Sequence, residues 1–164
     1  QPYRMVITDL TLPGVRGLAE IIELVNAAGE TPLTVVSSGH SRDVHRRMRV
    51  CGVSGLLERD APPEQISRTL AMVLRGGLAF PEIMAVPSAA ALPPAQSELT
   101  SRQMRVLSLL TKGKSNKQIA KDLSLSPNTV KAHVSEILRK LEVDGRNEVI
   151  AMAMRPMMTL QAAD

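Results

Sequence analysis

The chain has 164 residues and a net charge of +4 with a pI near 9.6, a modest basic excess that by itself assigns no partner. Its aromatic residues are only Tyr3 and Phe80, which excludes a single-strand or RNA binder built on base-stacking platforms. A single cysteine, Cys51, excludes an internal disulfide and suits a reducing cytoplasm; no apolar run is long enough to span a bilayer and nothing resembles a signal peptide, so a cytoplasmic location is expected.

Residues 1–80 alternate short apolar runs with helical patterns. Met5 to Thr8, Leu33 to Val36 and Gly55 to Leu57 predict strands; Leu18 to Ala28, Arg42 to Cys51 and Pro63 to Leu74 predict helices. That alternation is the signature of a parallel α/β sheet, here a partial doubly wound one. Cys51 reads as a small buried hydrophobe at the end of its helix. Asp9 and Ser37 fall at the carboxyl ends of the first two strands and Arg59 just after the third, the edge where open α/β sheets gather ligands. An acid, a hydroxyl and a cation converging there suit a phosphoryl group on Asp9, with Ser37 bonding one phosphoryl oxygen and Arg59 neutralising another. The other reading of Asp9 is a strand-end carboxylate that accepts a nearby backbone N–H, and both stand. An enzyme with Asp9 as nucleophile needs a second acid two residues on to protonate the leaving group. That place holds Thr11, so catalysis is not expected.

The stretches Val6 to Gly14 (VITDLTLPG), Gly17-Leu18, Pro32 to Ser37 (PLTVVS) and Gly52 to Asp60 (GVSGLLERD) resemble the second half of the receiver domain of two-component response regulators. The resemblance implies Asp9 as phosphoacceptor, Ser37 as switch hydroxyl and Arg59 in place of the usual Lys. It also implies a sensor histidine kinase as partner where the receiver is complete. Leu56 stands where an aromatic switch residue often sits, and Arg16 where an acid is common. The strand whose acidic pair holds Mg²⁺ does not occur in the sequence, which opens on Gln1 and not on Met; residue 1 need not be the natural start. No cofactor is therefore expected, with Mg²⁺ serving phosphorylation only where that strand precedes. Without it, Val6 and Ile7 would lie on an unpaired edge. Residues 1–80 are then predicted to be loosely folded alone, or to pair with another chain.

Residues 81–98 (PEIMAVPSAAALPPAQSE) carry four prolines and a run of alanines and read as an interdomain linker. Beyond them lies a helix-turn-helix pattern. Thr100 with Gln103 is a capping box before Met104, Val106, Leu107 and Leu110, and Gly113 ends that helix beside Lys112. Ser115 with Gln118 repeats the box and opens a short helix with Ile119, Ala120 and Leu123 inward. Ser126 caps a third helix with Pro127 at its first position. Along 127–141, Val130, Val134, Ile137, Leu138 and Leu141 form the buried stripe. Asn128, Ala132, Ser135 and Arg139 occupy the opposite arc with Lys131 on its flank. All six lysines (Lys112, Lys114, Lys117, Lys121, Lys131 and Lys140) lie in this region, and phosphate binding by such a cluster would be strongly salt-dependent.

Residues 99–150, through Leu99-Thr100-Ser101-Arg102, Gly113 to Ala120, Ser126 to Val134 and Ile137 to Leu141, resemble the LuxR-type DNA-binding domain. The resemblance implies an all-α four-helix domain over 99–156, its fourth helix near Arg146 to Arg155, with 157–164 as a tail. It places Lys131 and Ala132 on base edges, Ser135 where some members carry Lys, and Lys117, Thr129 and Lys140 on phosphates. Val149, Met152 and Ala153 would form the dimer contact, against the plainer reading that they are internal core. His133 is assigned to packing or backbone contact, and Gln103 replaces a usual Glu. A receiver, a linker and such a domain make up the NarL/FixJ-like architecture. The expected function is a regulator that binds duplex DNA as a dimer. The competing reading is an interaction protein that pairs with full-length regulators through its last helix.

Overall fold

The computed structural model describes residues 3–15, 17–38, 42–81 and 99–155. Arg16, nearly all of the predicted linker and the 157–164 tail lie outside the described residues. The first half runs β1 (Val6–Asp9), α1 (Leu18–Ala28), β2 (Leu33–Ser37), α2 (Arg42–Val50), β3 (Gly55–Glu58) and α3 (Pro63–Leu74). The strands are parallel in the order β1-β2-β3, with Thr8 opposite Val35 and Val35 opposite Leu56. β2 is buried at four of its five positions, as a central strand covered on both faces should be. β1 pairs with β2 on one side only among the described residues, and Ile7 is 52% exposed there. Where β3 meets α3 a glycine is required by space: a Cβ on Gly55 would come within 2.8 Å of Val73 Cγ2 and 3.1 Å of Thr34 Oγ1.

The second half is helical: α4 (Ser101–Thr111), α5 (Asn116–Leu123), α6 (Pro127–Leu141) and α7 (Arg146–Met154). The starts of α4, α5 and α6 are fixed by side chains. Thr100 Oγ1 accepts the Gln103 N–H at 3.2 Å while Gln103 Oε1 accepts the Thr100 N–H at 3.0 Å. Ser115 and Gln118 repeat the exchange at 3.3 and 2.8 Å, and Ser126 Oγ accepts the Thr129 N–H at 3.0 Å. Such caps contribute roughly 0.5–2 kcal/mol each. α5 and α6 both end on left-handed residues other than glycine, Ser124 at φ 53° and Glu142 at φ 54°. At Ser124 this reversal turns the chain within three residues, so that α6 starts immediately.

The two halves share one apolar core. α1 presents Leu18, Ile21 and Ile22, all buried, and packs on α4 and α7 as well as on β2. A helix apolar over so much of its circumference is one meant to be covered on more than one side. Polar contacts border the seam: Ser108 Oγ donates to Glu23 Oε1 at 2.5 Å, Lys112 Nζ lies 3.2 Å from the same oxygen, and the Leu99 N–H donates to the Val50 carbonyl at 3.0 Å. The approach at Gly17 is close enough that a Cβ would meet the Arg155 carbonyl oxygen at 2.7 Å. The sequence pattern separates the chain into two domains and a linker; the structure packs those domains against each other.

Cys51 is fully buried just after α2, and burial pushes its thiol up to about 12, so it packs as a small hydrophobe. Leu107, at 0% exposure in α4, sits in the shared core. Leu107→Ala should destabilise the chain by about 2–5 kcal/mol, read from the urea midpoint, and a cost under ~1 kcal/mol would contradict that burial.

Candidate nucleic-acid interface and receiver-like edge

The α5–α6 hairpin is held from behind by cations that bond carbonyl groups. Arg102 Nη2 donates to the Leu123 carbonyl at 2.6 Å, at the end of α5. Arg146 donates to the Lys114 carbonyl and, at 3.3 Å, to Asn116 Oδ1. Ile119, Ala120, Val130, Ile137 and Leu141 anchor the pair in the core. What α6 presents outward is the arc expected from its spacing: Asn128, Thr129, Lys131, Ala132, Ser135 and Arg139 are all exposed, as is Lys117 on α5. Among the described residues nothing covers these side chains.

The cations of this region are not equivalent. Lys114 is paired with Asp122 at 2.5 Å. Arg139 Nη2 lies 2.9 Å from Glu136, which lowers the Glu136 carboxyl and raises the guanidinium through that hydrogen bond first and its charge second. The pair is exposed and readily exchanged for another anion. Lys140 is half-buried and its ammonium donates to Gln103 Oε1 at 3.2 Å, so the carboxamide at the usual Glu position ties down a lysine expected on phosphate. Among the described residues Lys117, Lys121 and Lys131 make no ion pair and are exposed. Val149, Met152 and Ala153 are 0%, 6% and 1% exposed, in a helix that packs on α1 and α4. In this arrangement they belong to the core and not to a presented surface. His133 is half-buried on α6.

At the sheet edge, Asp9 and Arg59 do come together. Arg59 Nη2 reaches Asp9 Oδ1 and Oδ2 at 2.6 and 2.7 Å and the Thr11 hydroxyl at 2.7 Å. Asp9 Oδ1 also accepts the Thr11 N–H at 2.7 Å and its O–H at 2.8 Å. These bonds, the Thr11 backbone first and then its side chain and Arg59, hold the Asp9 carboxyl below the usual range. Ser37 stays apart from this cluster. The residue is 1% exposed, its hydroxyl has no hydrogen-bond partner among the described residues, and its carbonyl accepts the Arg59 backbone N–H at 2.9 Å. Leu56 is buried at 2%. The donor set does not fit Mg²⁺: a guanidinium sits on both oxygens of Asp9, and no group of three metal-ligating side chains occurs among the described residues.

The Thr11 N–H bond to Asp9 matches one of the two readings of Asp9 given by the sequence, since Asp often bonds the backbone two residues on. The contacts of Arg46 have no sequence signal: its Nη1 lies 3.0 Å from Glu142 and its Nη2 donates to the Leu141 carbonyl at 3.3 Å, joining α2 to the end of α6.

The amino-acid sequence is similar to those of known regulators. The family described as bacterial regulatory proteins, luxR family, matches residues 97–153. A glycerol metabolism activator from Pseudomonas putida is 34% identical over 160 residues, covering 91% of this chain and 72% of that protein. The transcriptional regulatory protein DesR of Bacillus subtilis is 33% identical, covering 88% and 69%. The nitrate/nitrite response regulator NarL of Escherichia coli is 30% identical, covering 88% and 70%. No helix among the described residues is long and apolar enough to cross a membrane.

The lowered Asp9 carboxyl has a pH signature. A group harder to protonate folded than unfolded contributes stability above its unfolded pKa, and that contribution is lost as pH falls through the folded value. Asp9→Asn should therefore flatten the fall in urea stability below about pH 4. An acid limb identical to that of the parent chain would contradict the pairing.

Proposed function

The chain belongs to the NarL/FixJ-like response regulators with a LuxR-type DNA-binding domain, and from that premise we propose that it reads a specific duplex as a dimer through α6. The observation that carries this is the exposed face of a capped and anchored helix, with Lys131 exposed and without an ion pair on its flank. Lys131 would donate to guanine O6 or N7, the Ala132 methyl would meet a thymine methyl, and Ser135 would bond either a donor or an acceptor on a base edge. Lys117 and Thr129 would hold phosphates and fix the register. Arg139 joins them by exchanging Glu136 for a phosphate.

Dimer half-sites would lie one helical turn apart. Pairing through Val149, Met152 and Ala153 requires α7 to leave α1, because that face is covered within the chain. The same burial weighs against a standing interaction surface for other regulators. Asp9 remains the proposed phosphoacceptor for a sensor kinase. Arg59 would have to release the carboxylate and turn to the phosphoryl oxygens, with no step resting on a metal.

Lys131→Ala should weaken binding to the selected duplex roughly 5- to 100-fold and relax base choice at one position, measured by fluorescence anisotropy against a set of single-base variants. Unchanged discrimination would reject its base-reading role. Lys117→Ala should weaken all duplexes alike and reduce the slope of log affinity against log salt by about one. A slope equal to that of the parent chain would remove Lys117 from the phosphate contacts.

A further inference from the structure

A second cationic face lies on α2, outside the surface assigned to DNA. Arg42, His45, Arg46 and Arg49 recur at spacings of three and four and so share one side of the helix. Val44 and Met48, at 4% and 0% exposure, turn into the core. Together with Phe80, those four line a cavity of about 190 Å³. Its charge is only partly neutralised. Asp43 pairs with Arg47 at 3.0 Å and lies 3.6 Å from Arg46, and Glu142 holds Arg46 at 3.0 Å. Arg42 and Arg49 have no acidic partner among the described residues. Moreover, Arg49 Nε is buried with no hydrogen-bond partner among the described residues, a state that native proteins avoid unless a ligand or water completes it.

We propose that this cavity is a binding site for a compact phosphate-bearing anion, held by Arg42 and Arg49 with His45 on the wall. Guanidinium groups match phosphate oxygens with paired N–H donors. The His45 imidazole, 7% exposed, has an N–H in either protonation state. The volume lies below the roughly 300–1,000 Å³ of sites for drug-sized ligands, which suits inorganic phosphate or a small monoester. A DNA backbone offers the same chemistry, but His45 and Arg49 Nε are buried, out of reach of a phosphodiester on a rigid duplex. Arg46 links the site to the regulator's output. It lines the cavity and also holds Glu142 and the Leu141 carbonyl at the end of α6. An anion in the cavity competes with Glu142 for that guanidinium.

The test is a titration of the full chain with inorganic phosphate at constant ionic strength, followed by the His45 ring signals in a ¹H–¹⁵N spectrum. A saturable shift, absent with chloride, is expected. Arg49→Gln should raise the half-saturation concentration at least tenfold, and so should Arg42→Gln at an exposed position where folding is not at stake. A response that is linear, equal to that of chloride, or unchanged in Arg42→Gln overturns the proposal. So does a flat phosphate response accompanied by a reduced salt slope of DNA binding in Arg42→Gln, which would make this face part of the DNA footprint. Because the probe is phosphate alone, its failure would leave the reading of α6 untouched.

Discussion

The packing of α1 against both the sheet and the helical half governs the rest of the structure. Leu18, Ile21 and Ile22 are buried in it, and Glu23 and Asn26 border the seam by bonding Ser108 and the Met104 carbonyl at 2.5 and 3.4 Å. A three-stranded sheet with three short helices has little apolar interior of its own, and small domains bury too small a fraction of their surface to be secure alone. Placing α4 and α7 over α1 extends that interior into one continuous core.

The same packing sorts the surfaces of the regulator. It leaves the outer arc of α6 in solvent and covers α7, so the proposed base reading and the proposed dimer pairing would rest on separate faces of one helical domain. Arg46 adds a second joint between the halves, from α2 to the end of α6. At the sheet edge the fixed cation of Arg59 occupies the Asp9 carboxylate. The proposed phosphorylation of Asp9 would therefore have to open that ion pair first.

The elements were legible because their signals are local. Capping boxes at Thr100 and Ser115, the Ser126–Pro127 start and the apolar stripe of α6 all act within a turn or two of helix; the structure reproduces the caps, and of the stripe it buries Val130, Ile137 and Leu141 and leaves Val134 and Leu138 half-buried. The strands were legible from short apolar runs bounded by turns, and each extends one residue past its expected end, while β1 starts at Val6 and not at Met5. The relation between the halves was not legible. Nothing in the period of α1 says whether its second apolar side meets a strand, a helix of another domain or a partner. The tethering of Lys140 by Gln103 is equally non-local, a contact between positions 37 residues apart. Cation type alone could not tell it from Lys131.

α1, α4 and α7 form one packed body while the arc of α6 stays free. Native-state hydrogen exchange of the full chain tests this, because amides that open in one cooperative step report the same free energy. Ile21 and Ile22 in α1 should exchange with the same opening free energy as Val149 and Met152 in α7, and both should rise together when denaturant is removed. Rapid exchange of α7 or α1 alone, with α4 to α6 still protected, would show that the halves do not share a core and would contradict it.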